Sequence, residues 1–255
     1  MAFPGFDAPR MTSSCAISPR KAFRSEASGT PTISIRGEEC IFEILTEDAS
    51  GAALVDAILP GLLGPNGAEH SWRLIPFRGI GRLPKNLMAE ASPKAQTILQ
   101  KLPPILRGYG KMRSSELRVM VLVDNDTKDC IQFKQELLAV LESCDPRPRA
   151  LIRIAVQETE AWLIGDPDAV RAAYPAADRK KLSAFRGDVF DGNWEYLAEV
   201  IRQGDSKKLA ALGYPELGAR KREWAERIGP IIDAKRNRSE SFAAFVAGMN
   251  KLVEN

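Results

Sequence analysis

The run Val119-Met120-Val121-Leu122-Val123, leading straight into Asp124-Asn125-Asp126, constrains this chain more than any other stretch. An uninterrupted apolar segment rich in valine is the signature of a strand covered on both faces, the environment of a parallel sheet. In open sheets of that kind, ligands bind beyond the carboxyl ends of the strands. Asp124 and Asp126 stand at such an end, two residues apart, so on extended backbone both side chains leave the same face. Two carboxylates held together repel unless something positive lies between them. A divalent cation is the economical partner.

Two other strand-like runs finish the same way. Cys40–Thr46 carries Glu43 inside it and Glu47 at its end, and Leu151–Val156 runs into Gln157-Glu158-Thr159-Glu160. Three acid-terminated strand ends are the pattern expected of oxygen-ligand metal chemistry, with Mg2+ or Mn2+ as cofactor. Glu158 and Glu160 read as first-turn helix residues. Residues two apart on a helix do not share a face, so one of the two, Glu158, is expected to reach the site. With one histidine, His70, and four cysteines lacking paired spacing, zinc is set aside. His70 reads as a surface loop residue, and the cysteines as reduced thiols of a cytoplasmic protein. No apolar run reaches the roughly 18 residues a membrane span needs.

Formal net charge is only +3, but it is unevenly spread. Residues 39–170 hold 15 Lys and Arg against 18 Asp and Glu; residues 171–238 hold 15 against 10. An acidic region beside a basic one suits a polyanion handled with metal ions, and nucleic acid is the partner this predicts. The loop after the second strand contains Gly79, Gly81, Arg78, Arg82 and Lys85. Lys85 is its candidate for stabilising charge on a transferring phosphoryl group.

From Cys40 onward, strand and helix patterns alternate: a helix over Ala49–Leu63, a strand over Trp72–Phe77, a helix over Pro93–Leu106 and an amphipathic helix over Lys128–Ser143. Such alternation predicts an α/β fold, a parallel sheet with helices on both faces. After Glu160 only helices are expected, near Asp168–Ala173, Trp194–Arg202, Ala219–Ile228 and Glu240–Val253, with Ser239 capping the last. The organisation expected is a disordered segment 1–38, an α/β domain 39–170 and a helical C-terminal extension 171–255 packed on it.

The stretches Phe42-Glu43 through Glu47, Leu122-Val123-Asp124-Asn125-Asp126 with Asp129-Cys130, Glu158-Thr159-Glu160-Ala161-Trp162-Leu163-Ile164-Gly165-Asp166, Lys221, and Asn237-Arg238-Ser239-Glu240-Ser241-Phe242 resemble a bacterial domain-of-unknown-function family, number 4276, regarded as Toprim-like. The resemblance runs over residues 40–253. It implies a Toprim-like sheet in which a glutamate after the first strand and an Asp-x-Asp after a later one bind magnesium. Glu43 matches that glutamate, although Ile44 stands where Toprim domains carry glycine, which leaves Glu47 as the alternative. Asp124 and Asp126 match the aspartate pair. The family further implies phage defence beside an ATPase partner.

The function expected is metal-dependent hydrolysis of nucleic acid phosphodiesters. Its catalytic set is Glu43, Asp124, Asp126 and Lys85, and its metal ligands come from Glu43, Glu47, Asp124, Asp126, Glu158 and Glu160. Two alternatives stand beside it. One is a non-catalytic interaction module for an ATPase. The other is a haloacid-dehalogenase-like phosphatase, whose Asp-x-Asp normally has its threonine two residues on, whereas Thr127 adjoins Asp126.

Overall fold

A computed structural model describes residues 39–125, 128–188, 192–201 and 206–254. The segment 1–38 and Asp126 therefore lie outside the described residues. Four strands, β1 (Ile41–Thr46), β2 (Ser71–Pro76), β3 (Leu117–Asp124) and β4 (Ala150–Ala155), form one parallel sheet in the order β2-β1-β3-β4. Helices α1 (Ala49–Leu63), α2 (Ile98–Met112) and α3 (Cys130–Glu142) make the crossovers. Among the described residues seven more α-helices follow: α4 (Glu160–Ile164), α5 (Pro167–Ala173), α6 (Arg179–Ala184), α7 (Asn193–Val200), α8 (Ser206–Ala211), α9 (Tyr214–Ile228) and α10 (Glu240–Glu254). The α/β class is as the alternation predicts. Among the described residues, no helix is long and apolar enough to cross a membrane.

The period of two along each strand divides the core. Leu45, Val119, Val121 and Val123 face one side, where Ile98, Leu99 and Leu102 of α2 and Phe133 and Leu137 of α3 cover them. Phe42, Ile44, Met120 and Leu122 face the other, against α1 and the C-terminal helices. Trp162 of α4 is fully buried there between Phe242 and Phe245, and its indole N–H donates to Ser241. Helices α1, α4 and the described C-terminal helices together make this second layer, with α10 packed on β4 and α9 on α1.

Local chemistry sets several boundaries. Asp48 caps α1 by accepting from the Gly51 N–H at 2.8 Å. Asp129 caps α3 through the Gln132 N–H. Ser239 accepts from the Phe242 N–H at 3.0 Å, in the capping position expected for α10. Helix α2 starts at Ile98 and not at Pro93, because the Ile98 and Leu99 N–H groups donate to the carbonyls of Gly79 and Ile80. The loop thereby satisfies donors that the first turn leaves free. Gly81 is required in that loop: its φ is +67°, and a Cβ there would collide with Thr97. His70 departs from the sequence reading. It is buried, accepts from the Cys40 N–H at 3.2 Å and lies edge-on to Phe42.

Candidate active site

At the carboxyl edge of the sheet the chain brings together acids from three strand ends. Glu47 follows the last residue of β1, and its carboxylate accepts from the Asp124 N–H at 3.4 Å, across the β1–β3 pairing. A cleft of about 10 Å3 opens there, lined by Thr46, Glu47, Asp48, Asp124 and Thr159 among others. That is room for about one water molecule or one bare ion. Beyond β4 the backbone turns sharply at Gln157, whose φ is +64°. The buried Asn125 holds this turn: its side-chain oxygen accepts from the Gln157 N–H at 2.6 Å, and its amide donates to the Lys128 carbonyl at 2.8 Å. A non-glycine residue in the left-handed region costs conformational energy and persists only where its surroundings over-determine it. Here the turn delivers Glu158 and Glu160 to the same edge.

A cation closes the cluster. Lys221 of α9 places its ammonium 3.2 Å from the Glu160 carboxylate and 3.8 Å from that of Glu158. Glu158 also accepts from the Trp194 N–H at the start of α7, at 3.0 Å. At the entrance, the Tyr214 hydroxyl donates to Asp48 at 2.9 Å, and Ser50 donates to the same carboxylate.

The electrostatics follow from crowding like charges in a poorly solvated place. Burial, reinforced by Glu47 and Glu160, holds the Asp124 carboxyl well above the ordinary carboxylate range, against the opposing pull of Lys221. Burial raises Glu158 to about 7; Lys221 opposes this and Glu160 adds to it. Burial alone would lower Lys221, but Glu160, Glu158, Asp124 and Asp48 outweigh it and raise its pKa. Tyr214 is pushed up to about 12 by burial and by Asp48.

The structure sorts the residues singled out from the sequence. Glu47, Asp124, Glu158 and Glu160 assemble; Glu43 and Lys85 do not join them. Glu43 sits in the middle of β1 opposite Val119, on the face of Leu45, whereas Asp124 lies five residues beyond Val119, on the face of Met120 and Leu122. Five residues of strand span roughly 16 Å. Glu43 instead pairs with Arg73 at 2.9 Å and accepts from the Tyr109 hydroxyl at 3.1 Å. Lys85 is exposed in the loop between β2 and α2 and makes none of the contacts of the cluster. Asp126, the second half of the aspartate pair, lies outside the described residues. Both Glu158 and Glu160 reach Lys221, contrary to the one-of-two expectation, because α4 begins only at Glu160 and Glu158 stands in the turn before it. Lys221, Asp48 and Tyr214 were not singled out from sequence chemistry. An Asp-x-Ser opening α1 was the available signal for Asp48; for Lys221 there was none beyond the family resemblance.

Whether these residues suit a metal ion is a matter of donors. The set is all oxygen, as a hard divalent cation prefers. The Glu160 oxygen that lacks a hydrogen bond is the one facing the Lys221 ammonium at 3.2 Å, so Lys221 already offsets it, and burial favours the neutral form of the Asp124 carboxyl. Oxygen donors are the type that Mg2+ or Mn2+ takes. Among the described residues, no three acidic, histidine or cysteine side chains are grouped closely enough to hold one ion as they stand.

A family model described as "Domain of unknown function (DUF4276)" matches residues 46–250. The chain belongs to the DUF4276 family. The DUF4276 match begins at the last residue of β1, so Glu47, Asp124, Glu158, Glu160 and Lys221 fall inside it and Glu43 falls outside. No curated protein matches this DUF4276 chain. Among solved structures, the C-terminal region of the Xanthomonas campestris pv. campestris OLD protein is similar over 83% of this chain and 95% of that one, at 12% identity and a TM-score of 0.40.

Proposed function

We propose that this DUF4276 protein is a nuclease-like, Toprim-like hydrolase that cleaves nucleic acid phosphodiesters with Mg2+ or Mn2+ at the carboxyl edge of its sheet. The observation that carries this reading is the meeting of Glu47 and Asp124 at the carboxyl edge, where an open parallel sheet takes its ligand, with Glu160 held nearby by Lys221. Glu47 and Asp124 would hold the cation, with Glu160 joining them once its ion pair with Lys221 rearranges. When bound, such a cation supplies Lewis-acid polarisation of a phosphoryl oxygen and a more acidic water. The chain's own residues prepare the site. Lys221 keeps Glu160 and Glu158 oriented and offsets their repulsion of Asp124. Asn125 fixes the two loops that carry the acids. The net positive charge of residues 171–238 favours approach of a polyanion. An ATPase partner in phage defence belongs to the same proposal through the family resemblance.

One observation favours a second reading. Lys221 already stands where a cation is wanted, so the cluster also suits a structural ion-pair network in a non-catalytic module. An assay of single- and double-stranded DNA cleavage with Mg2+ or Mn2+ separates the two. Asp124→Asn and Glu47→Gln should each abolish cleavage while the melting temperature stays level or rises, since each removes one of the repelling carboxylates at nearly constant volume. Full cleavage by Asp124→Asn would overturn the hydrolase reading.

A further inference from the structure

A second cavity lies at the opposite, amino edge of the sheet. It is an open recess of about 290 Å3 between the end of α2, the turn into β3 and the loop before β4. Leu117 and Asp124 are seven residues apart on β3, which puts roughly 23 Å of strand between this cavity and the acid cluster. The two places share no residue.

The lining is of two kinds. Arg113, Arg147 and Arg149 contribute three guanidinium groups, and no Asp or Glu lines the cavity. Ser114 and Ser115 add hydroxyls. The remaining wall is apolar or aromatic, from Leu117, Val119, Pro148 and the Tyr109 ring. Helix α2 and the loop before β4 approach closely because Gly110 has no Cβ; one there would collide with the Pro146 carbonyl.

Arg149 is committed to the fold, donating to the Ser115 carbonyl at 3.0 Å. Arg113 and Arg147 are not. Their guanidinium groups make no hydrogen bond or ion pair with any described residue. Many arginines elsewhere are engaged: Arg73 with Glu43, Arg107 with the Leu87 and Ala89 carbonyls, Arg236 with Asp166. Two uncommitted guanidiniums opening on one cavity with a third beside them form a donor array for an anion with several oxygens. A volume near the lower end of the usual ligand range, about 300 Å3, suits a small molecule.

We infer that this cavity binds a phosphorylated small molecule of mononucleotide size, its phosphate held by Arg113 and Arg147 and its less polar part against Leu117, Val119 and Tyr109. The site is independent of the proposed hydrolysis, and its test is run without divalent metal so that the two readings fail separately. Calorimetry of the full chain with adenosine 5'-monophosphate, inorganic phosphate and adenosine is the measurement. The nucleotide should bind one to one, phosphate more weakly, and adenosine not at all. Arg113→Gln combined with Arg147→Gln should weaken nucleotide binding by at least about tenfold, the scale of losing one charge-assisted hydrogen bond. Ser115→Glu, which adds a carboxylate to the lining, should do the same by a different route and guards against a misfolded double variant. Asp124→Asn should leave this binding unchanged. Absence of nucleotide binding at millimolar concentration would overturn the inference, as would binding that survives both variants. A single-stranded oligonucleotide bound in place of the mononucleotide, and lost in the double variant, would also overturn it and make the cavity part of a nucleic-acid track.

Discussion

The two edges of the sheet treat charge in opposite ways. At the carboxyl edge Glu47, Asp124, Glu158 and Glu160 crowd together, and the chain inserts Lys221 among them. At the amino edge Arg113 and Arg147 project from solvent-exposed loops with no carboxylate provided. Burial explains the contrast: a charge removed from water must be paired or neutralised, whereas an exposed one is stabilised by solvent. A ligand at the amino edge meets free donors. A cation at the carboxyl edge meets acids that already share a lysine, so binding there includes rearranging an ion pair. Lys134 of α3 supplies the control. It is largely buried without acids, donating to the Ile152 carbonyl, and burial, with Arg153 adding, lowers it to about 8. Lys221 is raised instead. Two buried lysines shift in opposite directions because one has carboxylates and the other has not.

The largest effect expected from this contrast is that of Lys221→Met. Removing the cation leaves Glu160, whose side chain is only 4% exposed, without its partner. Losing one member of a buried pair costs roughly 3–5 kcal/mol. Urea unfolding should show a midpoint lowered accordingly. An unchanged midpoint would break the comparison, since it would mean that the carboxyl edge is as well solvated as the amino edge.

Next comes the pH dependence set by Lys134. Its folded pKa of about 8 lies below the ordinary 10.5, so between those values the native state binds fewer protons than the unfolded chain. Stability from this group therefore rises as pH increases through that window, by roughly 1–2 kcal/mol after allowance for its partial exposure. The wild type should gain on Lys134→Met from pH 8 to 10.5. A constant difference in unfolding free energy across that range would show a solvated lysine.

The smallest effect belongs to Glu43→Gln. Its partner Arg73 has a side chain 70% exposed, and such pairs contribute under about 1 kcal/mol. Stability should barely move, and any metal-dependent hydrolysis should persist. Loss of hydrolysis in this variant, with Glu47→Gln still active, would return the first-strand acid to Glu43 and redraw the carboxyl edge.

What the sequence determined by itself was whatever neighbouring residues decide together. Short strand-like apolar runs specified the four parallel strands, the uninterrupted one being the buried β3, the 3.6-residue period placed α1 at Ala49–Leu63, and Ser239 marked the start of α10. Asp124 at a strand end was legible for the same reason. Which acids meet it was not. Glu43 and Glu47 lie four residues apart on or just beyond one strand, and only the register of β1 on β3, together with the side the C-terminal helices cover, puts Glu47 beside Asp124 and Glu43 elsewhere. Lys221 sits in Arg220-Lys221-Arg222-Glu223, which reads as an exposed charged helix face. Packing of α9 against α1 and α4 turns that one residue inward, while Arg222 remains outside with Glu226. Local propensity acts over a few residues. The cation and its acids are joined by chain crossings of tens of residues, and their partnership exists only once the apolar faces of the helices have found the sheet.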